Sequence, residues 1–291
     1  MKRIAILSLL ILSMSAFTLW GQENQPDSYQ AKTLFKEVKN EAGQAYELVI
    51  TLPATFTKER PYKVLYYIDA WWLSDLVKGS YRIHRLTKKM EEVILVGISL
   101  EGDEDDWNRQ RNRDYTPSIY DIEKMKINMK GGNIDLNEET TGGAEQFIQF
   151  MKSVVFTEIE SRYKTDPKAR GILGHSFGGL FSYYCLSNHP ELFKNYLLLS
   201  PSIWWNKSEF VQDEELQKIQ GDPNLFVIMG SAESNLLKRP IRKMVEHLEA
   251  REEERMRLRF KTYEGLDHHS VLPIGIYEGL EFLYKKKKDG K

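Results

Sequence analysis

Ser176 stands in "GHSFGG" (174–179), with Gly174 and Gly178 two residues to either side, behind the short apolar run "GIL". A hydroxyl at its ordinary pKa is a poor nucleophile. It becomes a good one when a base takes its proton, a third group holds that base, and N–H donors meet the oxyanion. A sharp strand-to-helix turn pushes such a serine out at the top of a sheet, and G-x-S-x-G is the sequence mark of that turn. Here "KARGILGHS" (168–176) reads as a strand, and "GGLFSYYCLSNHP" (178–190) reads as a helix that ends before a proline. A helix N-terminus at this point also directs partial positive charge at a developing anion. A five-residue pattern arises by chance, so the rest of the chain has to supply the partners.

In a site of this kind the order along the chain is serine, acid, histidine. Of the six histidines, His84 precedes the serine in a basic helical stretch, and His175 is its direct neighbour on the other side of the turn. His189 ends the following helix, and His247 belongs to a helix with a surface pattern. That leaves His268 and His269 in "EGLDHHSVLP", just past the last predicted strand. Glu233 is the first carboxylate after the strand "NLFVIMG" and would fix the imidazole tautomer. Its rival, Asp267, is a direct sequence neighbour of the histidine, a poor position from which to reach round to the ring. For the oxyanion the expected donors are two backbone N–H groups, that of Phe177 and one from the loop after "VLYYID", for which Trp71 is the choice. Trp71, Trp72, Trp204 and Trp205 all follow predicted strand ends and could wall an apolar or sugar-stacking pocket. Arg109, Arg111 and Arg113 could bring cations to an anionic substrate, with Arg111 taken as the substrate contact, although Arg113–Asp114 could equally be a structural ion pair. His268–His269 is an adjacent pair rather than the i, i+4 spacing of a helical zinc site, so no metal is called for, and the reaction needs no cofactor.

These residues need a frame. "TLFKEVK" and "AYELVITLP" alternate apolar and polar residues around "NEAGQ" and predict a hairpin of half-buried strands. "YKVLYYID" (62–69), "EEVILVGISL" (91–100), "KARGILGHS", "YLLLSPS" (196–202) and "NLFVIMGS" (224–231) are apolar runs suited to strands covered on both faces. "RMRLRFKTYEG" (255–265) alternates like a strand near a sheet edge. Between them, 142–163 places Phe147, Phe150, Met151, Val154, Val155 and Ile159 on one face of a long helix. Further helices are expected over 239–254 and 273–287. Strands alternating with helices predict an α/β protein: a mostly parallel central sheet, an antiparallel hairpin at its start, and helices on both faces. Segment 101–141 breaks the rhythm and is long enough to be a lid or binding loop.

The bulk numbers narrow the class. The chain has 291 residues, 41% of them hydrophobic, and a formal net charge of -1, so a sizeable core is available and a nucleic-acid partner is not indicated. The runs "EGDEDD", "REEER" and "KKKKDGK" read as solvated surface or frayed ends. The start, "MKRIAILSLLILSMSAFTLWGQ", has two basic residues, a short apolar run and small residues, the layout of a secretory signal peptide. We place the leader at 1–21, a polar linker at 22–30, one domain over 31–287 and a tail at 288–291. The protein is then exported, with no stable membrane span once the leader is removed. Cys185 is the only cysteine, so no internal disulfide can form, and it reads as a buried thiol.

Taken together, "VLYYIDAWW", "RNRDYTP", "GHSFGGLFSYY", "LLLSPSIWW" and "DHHSV…GLEFLY" resemble the "putative esterase" family of α/β-hydrolases, which includes enterochelin esterases, esterase D, feruloyl esterases and mycolyltransferases. The likeness runs from about Thr33 to the C-terminal helix, nearest to the periplasmic siderophore-esterase-like hydrolases of Gram-negative bacteria. The resemblance implies the α/β-hydrolase fold, with Ser176 as nucleophile, Glu233 as acid and a periplasmic or extracellular site of action. The family's N-H-G-S-V reads "DHHSV" here, so His268 takes the histidine place and His269 the glycine place. Its D-G-x oxyanion segment reads Asp69–Ala70–Trp71, with alanine for glycine. The resulting expectation is a serine esterase acting on a small-molecule or glycan-linked ester, a siderophore or carbohydrate ester among the candidates. An acyltransferase with the same Ser–Glu–His site, or a non-catalytic glycan or siderophore binder on the same scaffold, are the alternatives.

Overall fold

A computed structural model describes residues 31–125, 136–212, 218–250 and 256–286. The expected leader, linker and tail lie outside the described residues, as do 126–135 of the segment that broke the rhythm.

The predicted hairpin forms β1 (Lys32–Lys39) and β2 (Ala45–Leu52), paired antiparallel with Lys39 opposite Ala45. Gly43 closes the turn at φ 80°, and Asn40 holds it by accepting from the Gln44 N–H through Oδ1 at 2.9 Å. The apolar runs become β3 (Lys63–Tyr67), β4 (Val93–Leu100), β5 (Gly171–His175), β6 (Asn195–Leu199) and β7 (Asn224–Gly230), and the alternating run becomes β8 (Arg257–Tyr263). One sheet takes the order β1-β2-β4-β3-β5-β6-β7-β8. Strands β3 to β8 run parallel, and β2 joins β4 antiparallel. Every residue of β4 is buried, which explains its unbroken apolar run, whereas β8 lies at an edge and keeps its alternation.

Successive side chains of a strand point to opposite faces. Leu65 and Tyr67 therefore pack with Leu73 and Val77 of α1 (Ala70–Leu86) on one face, where Ile276 and Leu280 of the C-terminal helix also lie. Tyr66 and Ile68 pack on the other face, with Phe147, Ile159, Phe181 and Met244. That second face carries α2 (Glu104–Asp114), the short α3 (Ile122–Met125), α4 (Ala144–Phe150), α5 (Phe156–Arg162), α6 (Phe177–Asn188) and α7 (Asn235–Glu249). The C-terminal helix is α8 (Leu272–Tyr284).

Two helices depart from expectation. The long helix over 142–163 contains a π-helical turn, Met151–Val155, between α4 and α5. The extra residue in that turn rotates the second half of the helix, so Phe156 is buried and Val154 only half-buried. Helix α7 starts at Asn235, a full turn earlier than its proline suggests, and Pro240 sits inside it at the cost of one intrahelical bond. The acidic run "EGDEDD" is more than solvated surface. Asp103 caps α2 by accepting from the Asp106 N–H at 3.0 Å, and Glu104, Asp105 and Asp106 occupy the positive end of the helix.

Parallel pairing of β3 through β8 sends all their C-terminal ends to one rim, where ligands of open α/β sheets bind. The loops after β3, β5, β6, β7 and β8 are neighbours there in the order Asp69–Trp71, Ser176, Ser200–Trp205, Glu233 and His268. The turn after β5 tolerates no side chain at position 174: a Cβ on Gly174 would collide with the Gly178 carbonyl oxygen. Gly174→Ala should therefore lower unfolding free energy by ~1–3 kcal/mol, read as a drop in the urea midpoint at unchanged m-value.

Candidate active site

Ser176 is the residue between β5 and α6, with φ 58° and ψ −117°. A non-glycine residue here is strained, and the turn is held on both sides. The Ser176 N–H donates to Leu199 O at 3.1 Å, and Ser176 O accepts from Leu180 N–H at 3.0 Å and from Ser202 N–H at 2.9 Å. As the first residue of α6, Phe177 has an N–H with no intrahelical acceptor. The loop after β3 offers a matching pair. Trp72 and Leu73 donate back to Asp69 O at 3.3 and 3.1 Å, which leaves the Ala70 and Trp71 N–H groups, first in α1, without helix partners. The left-handed residue of this loop is Asp69, φ 58°, so alanine at position 70 begins the helix without strain.

The acid and the histidine come together. Glu233 has a fully covered side chain, and its Oε2 lies 3.0 Å from His268 Nδ1. A carboxylate can only accept, so His268 carries its proton on Nδ1 and keeps the Nε2 lone pair free. Oε1 of Glu233 accepts from Ser200 Oγ at 2.7 Å and from the Gly230 N–H at 2.6 Å. Burial pushes the Glu233 carboxyl pKa up, but hydrogen bonds from His268, Gly230 and Ser200 outweigh it and leave the group below its ordinary value. Position 230 has to be glycine for this approach, because a Cβ there would collide with Leu266 O.

Asp267 is occupied elsewhere. Its Oδ1 accepts from the His269 N–H at 3.0 Å and from the Ser270 N–H and hydroxyl at 2.8 Å each. These donors, Ser270 first, hold its pKa down at about 2. Asp267 therefore shapes the turn that presents His268.

His175, the residue before Ser176, supports the same His268 turn. Its Nε2–H donates to His268 O at 2.9 Å, and its ring lies 4.4 Å from that of His268. Burial, and then the nearby His268 and Arg111, hold the His175 pKa well below its ordinary value, so its ring stays neutral. Trp72 meets the other edge of this ring, 5.4 Å away and T-shaped.

A family model described as "Putative esterase" matches residues 39–271. The chain is 31% identical over 250 residues to the ferri-bacillibactin esterase BesA of Bacillus subtilis, covering 82% of this chain and 84% of that protein. It is 28% identical over 234 residues to the siderophore enterobactin esterase of Emericella nidulans, covering 69% and 74%. In structure it is similar to the BES protein of Bacillus cereus, with a TM-score of 0.77 over 88% of this chain and 97% of that one at 22% identity. The chain belongs to this esterase family. The fold is that of the α/β-hydrolases, and the enzyme is a carboxylic ester hydrolase.

Within the esterase, three expected substrate contacts, Arg111, Trp204 and Trp205, are engaged elsewhere. Arg111 forms a bidentate ion pair with the fully buried Asp69, Nε to Oδ1 and Nη2 to Oδ2, both at 3.0 Å. Its charge is spent on the loop after β3, and it lies over the faces of Trp107, Phe177 and Tyr115. Tyr115 Oη accepts the Asp69 N–H at 3.3 Å, so two residues of "RNRDYTP" grip that loop. Arg113 pairs with Asp114 at 2.7 Å, which also accepts from Tyr46 Oη at 2.7 Å. Trp205 is fully buried, donates its indole N–H to Ser118 Oγ at 2.9 Å and packs on Phe177, as does the nearly covered Trp204. These two tryptophans are core. Trp71 is the exposed one, at 56%, with its ring 5.3 Å from Trp107 of α2, and Trp72 is half-buried.

A carboxyl held below its ordinary value in the fold contributes stability above the unfolded value, and that contribution is lost as pH falls through the folded one. The stability gap between wild type and Glu233→Gln should therefore be present above the ordinary value of 4.5 and shrink as pH falls below it, read from urea midpoints across pH. Arg111→Ala leaves Asp69 buried without its partner and should cost ~3–5 kcal/mol in the same measurement.

Proposed function

We propose that this esterase is an exported serine hydrolase that cleaves ester-linked siderophores through an acyl-enzyme. The observation that carries the reading is a strained, sheet-top Ser176 and, on the same rim of the sheet, a buried Glu233 that accepts from His268 Nδ1. In this mechanism Ser176 Oγ attacks the ester carbonyl while His268 Nε2 takes its proton and returns it to the leaving alkoxide. Glu233 fixes the tautomer and stabilises the imidazolium, and the N–H groups of Phe177 and Trp71 receive the oxyanion. Water then repeats the sequence on the acyl-enzyme. Ser176 Oγ lies 3.2 Å from Ser202 Oγ, and catalytic hydrogen bonds of this kind are completed in the substrate complex.

The siderophore assignment is supported by the relatives, which are named for ferri-bacillibactin and enterobactin. The exposed Trp71 and its neighbour Trp107 offer aromatic faces beside the proposed oxyanion donors, suited to the aryl groups of a catecholate ester. Export is supported by the basic, apolar and small-residue order of 1–21, and no helix among the described residues is long and apolar enough to cross a membrane. A Gram-negative periplasm is the compartment this reading favours.

A fluorophosphonate should label wild type stoichiometrically and leave Ser176→Ala unlabelled, with turnover of p-nitrophenyl acetate and of a ferric catecholate siderophore ester both down by ~10⁴-fold or more. Siderophore cleavage, measured by chromatography, should exceed that of the simple ester in kcat/KM. Full activity in Ser176→Ala would overturn the nucleophile, and equal kcat/KM for the two esters would overturn the substrate.

A further inference from the structure

The loop after β6 reads Ser200–Pro201–Ser202, and its two hydroxyls reach the two ends of the proposed apparatus. Ser200, at φ 43°, gives its hydroxyl to Glu233. Ser202 is almost fully buried, its N–H is fixed on Ser176 O at 2.9 Å, and its Oγ stands 3.2 Å from Ser176 Oγ. The fixed backbone and lack of room around a covered side chain keep this hydroxyl at the reacting atom.

A hydrogen-bond count decides what Ser202 does there. When Ser176 gives its proton to His268 Nε2, its oxygen has only lone pairs left, so Ser202 must be the donor. With an activated ester such as p-nitrophenyl acetate, the two halves of the reaction draw on that donor unequally. In acylation Ser176 Oγ is the nucleophile, its proton passes to His268 as it attacks an already reactive carbonyl, and little charge collects on it. In deacylation the same atom is the leaving group. Water adds to the acyl carbon and its proton passes to His268 Nε2. The C–Oγ bond then breaks, its electron pair goes to Oγ, and the imidazolium returns the proton to Oγ as the carboxylic acid departs. Negative charge collects on Oγ during that break, and hydrogen bonds to charged oxygen are the strong ones.

We propose that Ser202 is a catalytic residue of the deacylation half-reaction, donating to Ser176 Oγ as it leaves the acyl carbon. The proposal rests on the reading of Ser176 as nucleophile. Stopped-flow and steady-state kinetics with p-nitrophenyl acetate test both and separate them. Ser202→Ala should keep a full burst of nitrophenol and a kcat/KM within about threefold of wild type, while kcat and KM fall together by about tenfold and acyl-enzyme, seen as a mass increment on the intact protein, accumulates. Ser202→Cys preserves the volume with a weaker donor and should fall between the two. A fall in kcat/KM as large as the fall in kcat, or an unchanged rate of acyl-enzyme decay, would overturn the proposal. Absence of any acyl-enzyme in wild type would overturn the nucleophile instead.

Discussion

A carboxylate with no solvent of its own has to be satisfied by fixed donors, and Glu233 is satisfied by three loops at once. The Gly230 N–H comes from the end of β7, the Ser200 hydroxyl from the loop after β6, and His268 Nδ1 from the turn after β8. None of the three can move without leaving the anion short of a donor. The position of the imidazole is therefore set by the sheet. The parallel register of β6, β7 and β8 brings their ends to one level, and the buried charge locks the loops that leave them. His175, one residue before Ser176, closes the circuit through His268 O and joins the turn after β8 to the end of β5. Its neutrality matters as much as its hydrogen bond. A protonated ring 4.4 Å from His268 would oppose the imidazolium formed in the proposed reaction.

A second buried carboxylate, Asp69, performs the same service on the other flank. Its partners come from α2 and the residue that ends it, in the segment that breaks the strand–helix rhythm: Arg111 grips the carboxylate and Tyr115 receives the Asp69 N–H. That segment is therefore more than a cover over the rim. It sets the backbone from which the Trp71 amide projects, and whatever shifts α2 shifts that amide. The same helix carries Trp107, whose ring pairs with Trp71, so the aromatic faces and the amide respond to one element.

The frame was largely legible because burial writes itself into composition. Strands covered on both faces need unbroken apolar runs, and β4 and β5 show them; an edge strand keeps its alternation, as β8 does. The order of Ser176, Glu233 and His268 was legible for a related reason, since in a parallel sheet the first polar residues past a strand end face the rim. What could not be read are choices made by three-dimensional neighbours. Arg111 finds its partner 42 residues upstream, and no local pattern separates that fate from a cation left for substrate. Trp71 and Trp205 both follow strand ends, yet one stands in solvent and the other in the core, because the chain after β6 folds back over the second sheet face. The π-helical turn kept the apolar count of 142–163 intact while rotating its second half, so the periodicity looked regular. Ser200 and Ser202 do leave a mark in the sequence. Two hydroxyls flanking a proline directly after a buried strand are costly to cover unless both are bonded.

Strain and satisfaction are distributed unevenly across this rim. Asp69, Ser176 and Ser200 all have positive φ, and all three lie within two residues of a strand end. Such residues persist only where the surroundings over-determine them. Here each is pinned by the polar groups described above: Asp69 by Arg111, Ser176 by Leu199 O and Ser202 N–H, Ser200 by Glu233. The hydrogen bonds that satisfy the buried charges are thus the same bonds that hold the backbone in shapes it would otherwise leave. Folding energy is committed in advance to orientation, so that little reorganisation remains for the moment at which charge develops. Ser176 Oγ, by contrast, has a neutral hydroxyl as its hydrogen-bond partner, Ser202 Oγ at 3.2 Å, and in the proposed reaction it is the atom on which charge develops.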